Sequence, residues 1–136
     1  MGILDALQRL FTKRGPDPSM SESFEARRAF GVEPDADEGP SYFVELADRR
    51  VLFLAGSYLQ TARPFPCTSF AIRRQRGRVV ELTCSGDVLE PEVMTLPFTR
   101  TERKQKKVPA DGAILTARSY DAIRSERLAA ASMSYE

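Results

Sequence analysis

Between Ser41 and Leu89 apolar residues recur at the two-residue period of strands, in two back-to-back hairpins. In the first, Tyr42, Val44 and Leu46 share one face, and Val51, Phe53 and Ala55 are expected to answer them across a turn at Asp48-Arg49. Phe43, Leu52 and Leu54 fall on the other face. A hairpin that is apolar on both sides belongs at the centre of a domain, with sheet over one face and helix over the other. In the second hairpin Phe70 and Ile72 alternate with polar neighbours, Gln75-Arg76-Gly77 turns the chain, and Val80, Leu82 and Cys84 alternate back. A three-residue loop with Gly77 left-handed places Ile72 opposite Val80, Phe70 opposite Leu82 and Thr68 opposite Cys84.

The flanks change period. Ile3, Leu4, Leu7, Leu10 and Phe11 recur at helical spacing, Arg9, Lys13 and Arg14 load the later turns, and Gly15-Pro16 ends the run. A polar linker over 16–21 follows, then an expected helix over 22–30 capped by Ser21 or Ser23 and terminated by Gly31. Val32 to Pro40 reads as an acidic loop, and the segment holding Pro64 and Pro66 as a connection. Glu90-Pro91-Glu92 ends the sheet block. Thr99-Arg100-Thr101-Glu102 has capping-box form and starts a short basic helix to Lys107. Pro109 and Asp111-Gly112 make a turn, and Ala113 to Thr116 one further strand. Ser119 caps a last helix through about Leu128, with Asp121 early and Arg124 and Arg127 late, as the helix dipole prefers.

These elements sum to one α+β domain over 22–131: a mainly antiparallel, twisted sheet of four to six strands, open or curled toward a small barrel, with N- and C-terminal helices. Residues 1–15 form the leading amphipathic helix and 132–136 a tail. A chain of 136 residues suits a single core. The formal charge of +1 offers no whole-chain attraction to polyanions.

Histidine is absent, which removes the usual general base near neutral pH and the commonest transition-metal ligand. No metal or cofactor is expected. Asp35-Ala36-Asp37-Glu38-Gly39 has part of a calcium loop's spacing, but Leu46 stands where the closing glutamate is needed. Glu90 and Glu92 flank a proline in a turn rather than a cleft. In the register above, Cys67 and Cys84 point to opposite faces, so two free thiols and a reducing compartment are expected. Gly2 lacks the partner a myristoylation signal requires, since position 6 is Ala6. No run approaches the ~20 apolar residues of a spanning helix. These features predict a cytoplasmic protein, peripheral at an inner membrane if its leading helix lies on lipid.

Two surfaces could bind. The apolar stripe Leu4, Leu7, Leu10 and Phe11 can pack on its own sheet, dock on a protein partner or lie on a membrane surface. Arg73, Arg74, Arg76 and Arg78 crowd the second hairpin tip, and Arg100, Arg103, Lys104, Lys106 and Lys107 form a second basic spot. Together they could contact phosphates, although no aromatic residue interleaves them. Tyr42, Tyr58 and Phe65 could line a pocket. An enzyme would need Tyr58, Cys67 and an acidic residue to converge in one.

The runs Glu38-Gly39-Pro40-Ser41-Tyr42-Phe43, Val51-Leu52-Phe53-Leu54-Ala55-Gly56-Ser57-Tyr58-Leu59, Phe65-Pro66-Cys67-Thr68 and Pro109-Ala110-Asp111-Gly112 resemble a soluble domain of uncharacterised bacterial membrane-associated proteins. The resemblance covers roughly residues 30–116. This chain departs from it by lacking membrane spans and by carrying Arg49 where a turn glycine is comfortable. It implies a membrane-proximal, non-catalytic setting and no particular site residues. The function expected is therefore a non-catalytic binding or scaffolding module, an accessory subunit whose protein partner docks on residues 1–15. A nucleic-acid binder is the alternative, and a small enzyme using Tyr or carboxylate chemistry is a third.

Overall fold

The structure is a computed structural model that describes residues 19–34, 39–60 and 65–133. Seven strands form one open sheet: β1 (Ser19–Val32), β2 (Ser41–Leu46), β3 (Val51–Leu54), β4 (Ser69–Gln75), β5 (Arg78–Cys84), β6 (Met94–Thr95) and β7 (Ile114–Leu115). Their order is β5-β4-β1-β2-β3-β7, with β6 running parallel to the end of β1 and every other pairing antiparallel. A 3-10 turn covers Ser57–Gln60, and two helices, α1 (Arg100–Lys104) and α2 (Tyr120–Met133), complete the described elements. The sheet exceeds the four to six strands expected and does not close. The described part is mostly strand, so the α+β description holds only through α1 and α2. The expected N-terminal helix lies outside the described residues.

The largest correction concerns residues 22–30, which form strand rather than helix. β1 is long because it serves two partners: Ser19–Glu25 pairs with β4, and Ala26–Val32 pairs with β2. Its register slips by one residue between Ala26 and Arg28. That bulge flips the side-chain parity, because one inserted residue exchanges the faces of all that follow. Phe24 and Ala26 therefore face one core and, past the bulge, Ala29 joins them while Phe30 and Val32 face the other. The broken alternation is what imitated a helical period. Gly31 is no helix terminator. A Cβ there would strike the Met94 thioether and sit 3.2 Å from the Tyr42 ring, so glycine lets β6 approach.

Two cores lie on opposite faces of the β2–β3 hairpin, as its two-sided apolar pattern predicted. Val44, Leu46, Leu52 and Leu54 join Phe24, Phe70, Ile72 and Leu82 under the folded-over β4–β5 pair. Phe30, Phe43, Val51 and Phe53 pack with Phe98, Tyr120 and Ile123 beneath α2. The hairpin's faces differ by one residue from those expected. Phe43 pairs with Phe53, and Val44 with Leu52, because the loop is Ala47-Asp48-Arg49, closed by Leu46 N–H to Arg50 O at 2.8 Å. Arg49 takes the left-handed position (φ 76°).

The β4–β5 turn is shorter than expected. Arg76 and Gly77 form a two-residue loop with φ of 55° and 81°, and Gln75 pairs directly with Arg78. A bulge at Val80 then sets Ile72 opposite Leu82 and Phe70 opposite Cys84. The expectation of free thiols fails here. Cys67 and Cys84 are joined in a disulfide, with Cα atoms 6.2 Å apart. Strict alternation holds only inside a ladder, and the ladder begins at Ser69. Before it, Cys67 pairs with Val88 and Thr68 N–H bonds Asp87 O at 2.8 Å, so Cys67 turns into the core. The inference of a reducing compartment falls with the free thiols.

Candidate functional site

The concave end of the sheet is built around Asp111. β3 ends at Leu54, and the chain turns through Gly56 into the 3-10 turn, which buries Tyr58 and Leu59. The turn at Pro109–Gly112 is laid against this end by Gly112 N–H to Phe53 O (2.7 Å) and Phe53 N–H to Ala113 O (3.0 Å). Asp111 Oδ1 accepts from Ala55 N–H at 2.8 Å and from the Tyr58 hydroxyl in a short hydrogen bond. Gly112 has φ 83°, and a Cβ there would lie 2.7 Å from Val79, so the turn also abuts the β5 strand. Arg74 completes the joint by donating to Gly112 O at 2.7 Å and to Glu22 at 2.5 Å.

Two clefts open on either side of Asp111. One, of about 470 Å³, has Val32, Phe53, Phe98 and Val108 as its apolar lining, with Glu33 and Arg103 among its polar groups. The other, of about 570 Å³, lies between Tyr58 and the β4–β5 tip at Gly77-Arg78. Burial, donation to Asp111 and the charge of Asp111 all push the Tyr58 hydroxyl far above its ordinary value. It stays protonated and donates, which suits it to holding the loop rather than to taking protons. Cys67 does not line either cleft and its sulfur is in the disulfide. Of the trio an enzyme would need, Tyr58 and an acidic residue meet; Cys67 does not join them.

A second charged cluster fastens α2. Arg28 donates to Glu45 at 2.9 Å and to Asp121 at 3.0 Å, and its guanidinium stands 4.4 Å from the centre of the Tyr120 ring. Tyr120 donates its hydroxyl to Glu92 at 2.6 Å. That hydrogen bond, with help from Arg124 and Arg28, holds the Glu92 carboxyl below its usual range. Asp121 is lowered chiefly by its bond from Arg28, and Tyr120 is raised chiefly by burial. Arg127, a buried residue of α2, bonds Glu102 and Leu96 O and lies over the Phe98 ring at 4.2 Å. Glu102 is also the α1 capping-box residue, accepting from Thr99 N–H at 2.8 Å. This network ties helices to sheet.

The basic residues separate into two roles. Arg73 pairs with Glu81 (3.3 Å) on the outer face, and Arg74 is the half-buried joint described above. Arg76 and Arg78 stand exposed at the hairpin tip; Arg103, Lys104, Lys106 and Lys107 stand exposed on and after α1. The two spots flank the Pro109–Gly112 turn, which borders the tip in one cleft and Arg103 in the other. Leu4, Leu7, Leu10 and Phe11, and the acidic run 35–38, lie outside the described residues. Among the described residues no cluster of carboxylates and thiols could hold a metal ion, and no helix is long and apolar enough to cross a membrane.

The sequence did not reveal the Tyr58–Asp111 pair, although it marked Tyr58 as a pocket candidate and Asp111-Gly112 as a turn. The joint spans residues 53 apart, which no local pattern reports. Arg28–Glu45 was equally hidden, because Arg28 was assigned to a helix. Compared with known proteins, the chain matches no family model, no curated protein and no solved structure.

Proposed function

We propose that the chain is a non-catalytic binding module, an accessory subunit or peripheral component of a membrane-associated protein complex. One observation carries this reading. At the concave end, the groups that chemistry would recruit are engaged in structural bonds: Tyr58 donates to Asp111 and the cysteines form a disulfide. What remains at that end is exposed charge around shallow clefts, a surface suited to contact rather than turnover. The protein partner is proposed to dock on the apolar stripe Leu4, Leu7, Leu10 and Phe11 that leads into β1.

Affinity purification of the tagged chain from its own cells in mild detergent, beside a version lacking residues 1–15, tests this. A stoichiometric partner that is lost on truncation, and lost again in the Leu7→Asp, Leu10→Asp double variant with the sheet still folded, is the expected result. No partner with either version removes the subunit reading. Unfolding of the whole domain by the double variant would make the stripe part of the core instead.

A further inference from the structure

We propose that the cationic end of the sheet, where the β4–β5 tip and α1 flank the Pro109–Gly112 turn, seats the protein on an anionic bilayer surface. This rests on the binding-module reading and names the surface by which such a module meets its membrane.

Arg78, Arg100, Lys104, Lys106 and Lys107 are exposed, and none forms an ion pair among the described residues. Arg76 and Arg103 add positive charge at the same end. The nearby carboxylates are largely engaged: Asp111 accepts from Tyr58 and Ala55, Glu81 from Arg73, and Glu22 from Arg74. Among the described residues Glu33, lining the cleft with Arg103, is the exposed exception. A near-neutral chain thus carries, among its described residues, a group of exposed cations at one end, which orients it in the field of an anionic surface.

Lipid is favoured over nucleic acid by what accompanies the charge. Met20, paired with Arg74, is 64% exposed, and Val80 in the β5 bulge is 39% exposed. Apolar side chains among cations match the boundary between headgroups and acyl chains. Among the described residues lining the hairpin-tip cleft the one aromatic ring, Tyr58, is buried and offers no base-stacking platform. β1 also begins at this end, with Ser19 paired to Gln75 at the tip.

The test is co-sedimentation of the full chain with phosphatidylcholine vesicles, with and without phosphatidylglycerol, in low and in physiological salt. Binding is expected only with phosphatidylglycerol and should weaken as salt rises. Each cation removed should lower partitioning by about fivefold. The Arg78→Gln, Lys104→Gln, Lys106→Gln, Lys107→Gln variant should therefore lose on the order of a hundredfold or more, while Arg49→Gln, at the opposite end of the sheet, should bind as the parent does. No vesicle binding, equal binding to neutral vesicles, or full binding by the quadruple variant overturns the proposal. So does a preference for duplex DNA or RNA over the vesicles when both compete. Partner capture without vesicle binding would sink this inference and leave the proposed function standing; vesicle binding without a partner would do the reverse.

Discussion

The two hairpins of this sheet are held by different means. β2–β3 is covered on both faces, and its side chains Phe43, Val44, Val51, Leu52, Phe53 and Leu54 are almost entirely buried. Packing alone fixes its register, even with a non-glycine residue, Arg49, left-handed in its loop. β4–β5 buries one face only. Its outer face carries the Arg73–Glu81 pair and Thr83, its turn uses Gly77, its strand is bulged at Val80, and the disulfide closes its open end. A one-faced hairpin lacks the apolar area to secure itself and is supplemented by a crosslink and ion pairs. In return it keeps a solvated surface and a charged tip on which contact can evolve without disturbing a core.

The contrast can be broken at its strongest point by Phe43→Ala. Phe43 stacks on Phe30 at 4.9 Å and contacts Phe53 at 4.8 Å, so the variant should lose about 3–5 kcal/mol in urea unfolding. Thr83→Ala, on the outer face of β5, should change stability by less than about 0.5 kcal/mol. Comparable losses at both positions would mean that the two hairpins are not held differently. Replacing both cysteines by alanine comes next. The crosslink closes a separation of 17 residues, and its removal should cost about 3 kcal/mol. Reduction of the native chain should reproduce that loss, whereas free thiols titrated in the unreduced protein would refute the covalent half of the comparison.

Tyr58→Phe should cost about 1.5–3 kcal/mol, because it removes a hydrogen bond to the carboxylate that ties the 3-10 turn after β3 to the Pro109–Gly112 turn. Tyr58 and Tyr120 are both raised, so their contribution is present below the unfolded value of 10.0 and is lost as pH climbs beyond it. Tyr58→Phe should blunt that alkaline loss. The acid side belongs to the α2 fastening. Glu92 and Asp121 are lowered, so their contribution is present above ordinary values of 4.5 and 3.8 and disappears as pH falls through the lower folded values. Glu92→Gln should flatten the acid limb of a stability–pH curve, and an unchanged limb would remove Glu92 from the fastening. A modest gain of up to about 1 kcal/mol is expected for Arg49→Gly, which relieves the left-handed position. Gly77→Ala, at the matching point of the other turn, should destabilise.

What the sequence disclosed follows the same division. β2–β3 announced its double burial, the α1 capping box was readable from Thr99 and Glu102, and Ser119 indeed caps α2 by accepting from Ala122 N–H at 3.1 Å. These features are local, so neighbouring residues suffice to reveal them. β1 was misread because its bulge reset the alternation midway, and the disulfide because one residue of loop length and an irregular entry to β4 decided where Cys67 points. The candidate site was legible only as fragments. Tyr58, Asp111, Arg78 and Lys104 were visible singly, and the fold alone brings them to one end. The apolar stripe Leu4, Leu7, Leu10 and Phe11 was read from spacing and lies outside the described residues.

The divided allegiance of β1 also sets an order of assembly. Its second half meets β2 across a short connection, since Val32 pairs with Ser41. Its first half must wait for β4, with Ser19 opposite Gln75, and its end for β6, with Val32 beside Thr95. Contacts so distant along the chain form slowly, because loop closure must precede any gain from them. During synthesis, then, the stretch from Ser19 to Glu25 remains an unsatisfied strand edge until β4, Ser69–Gln75, has been made.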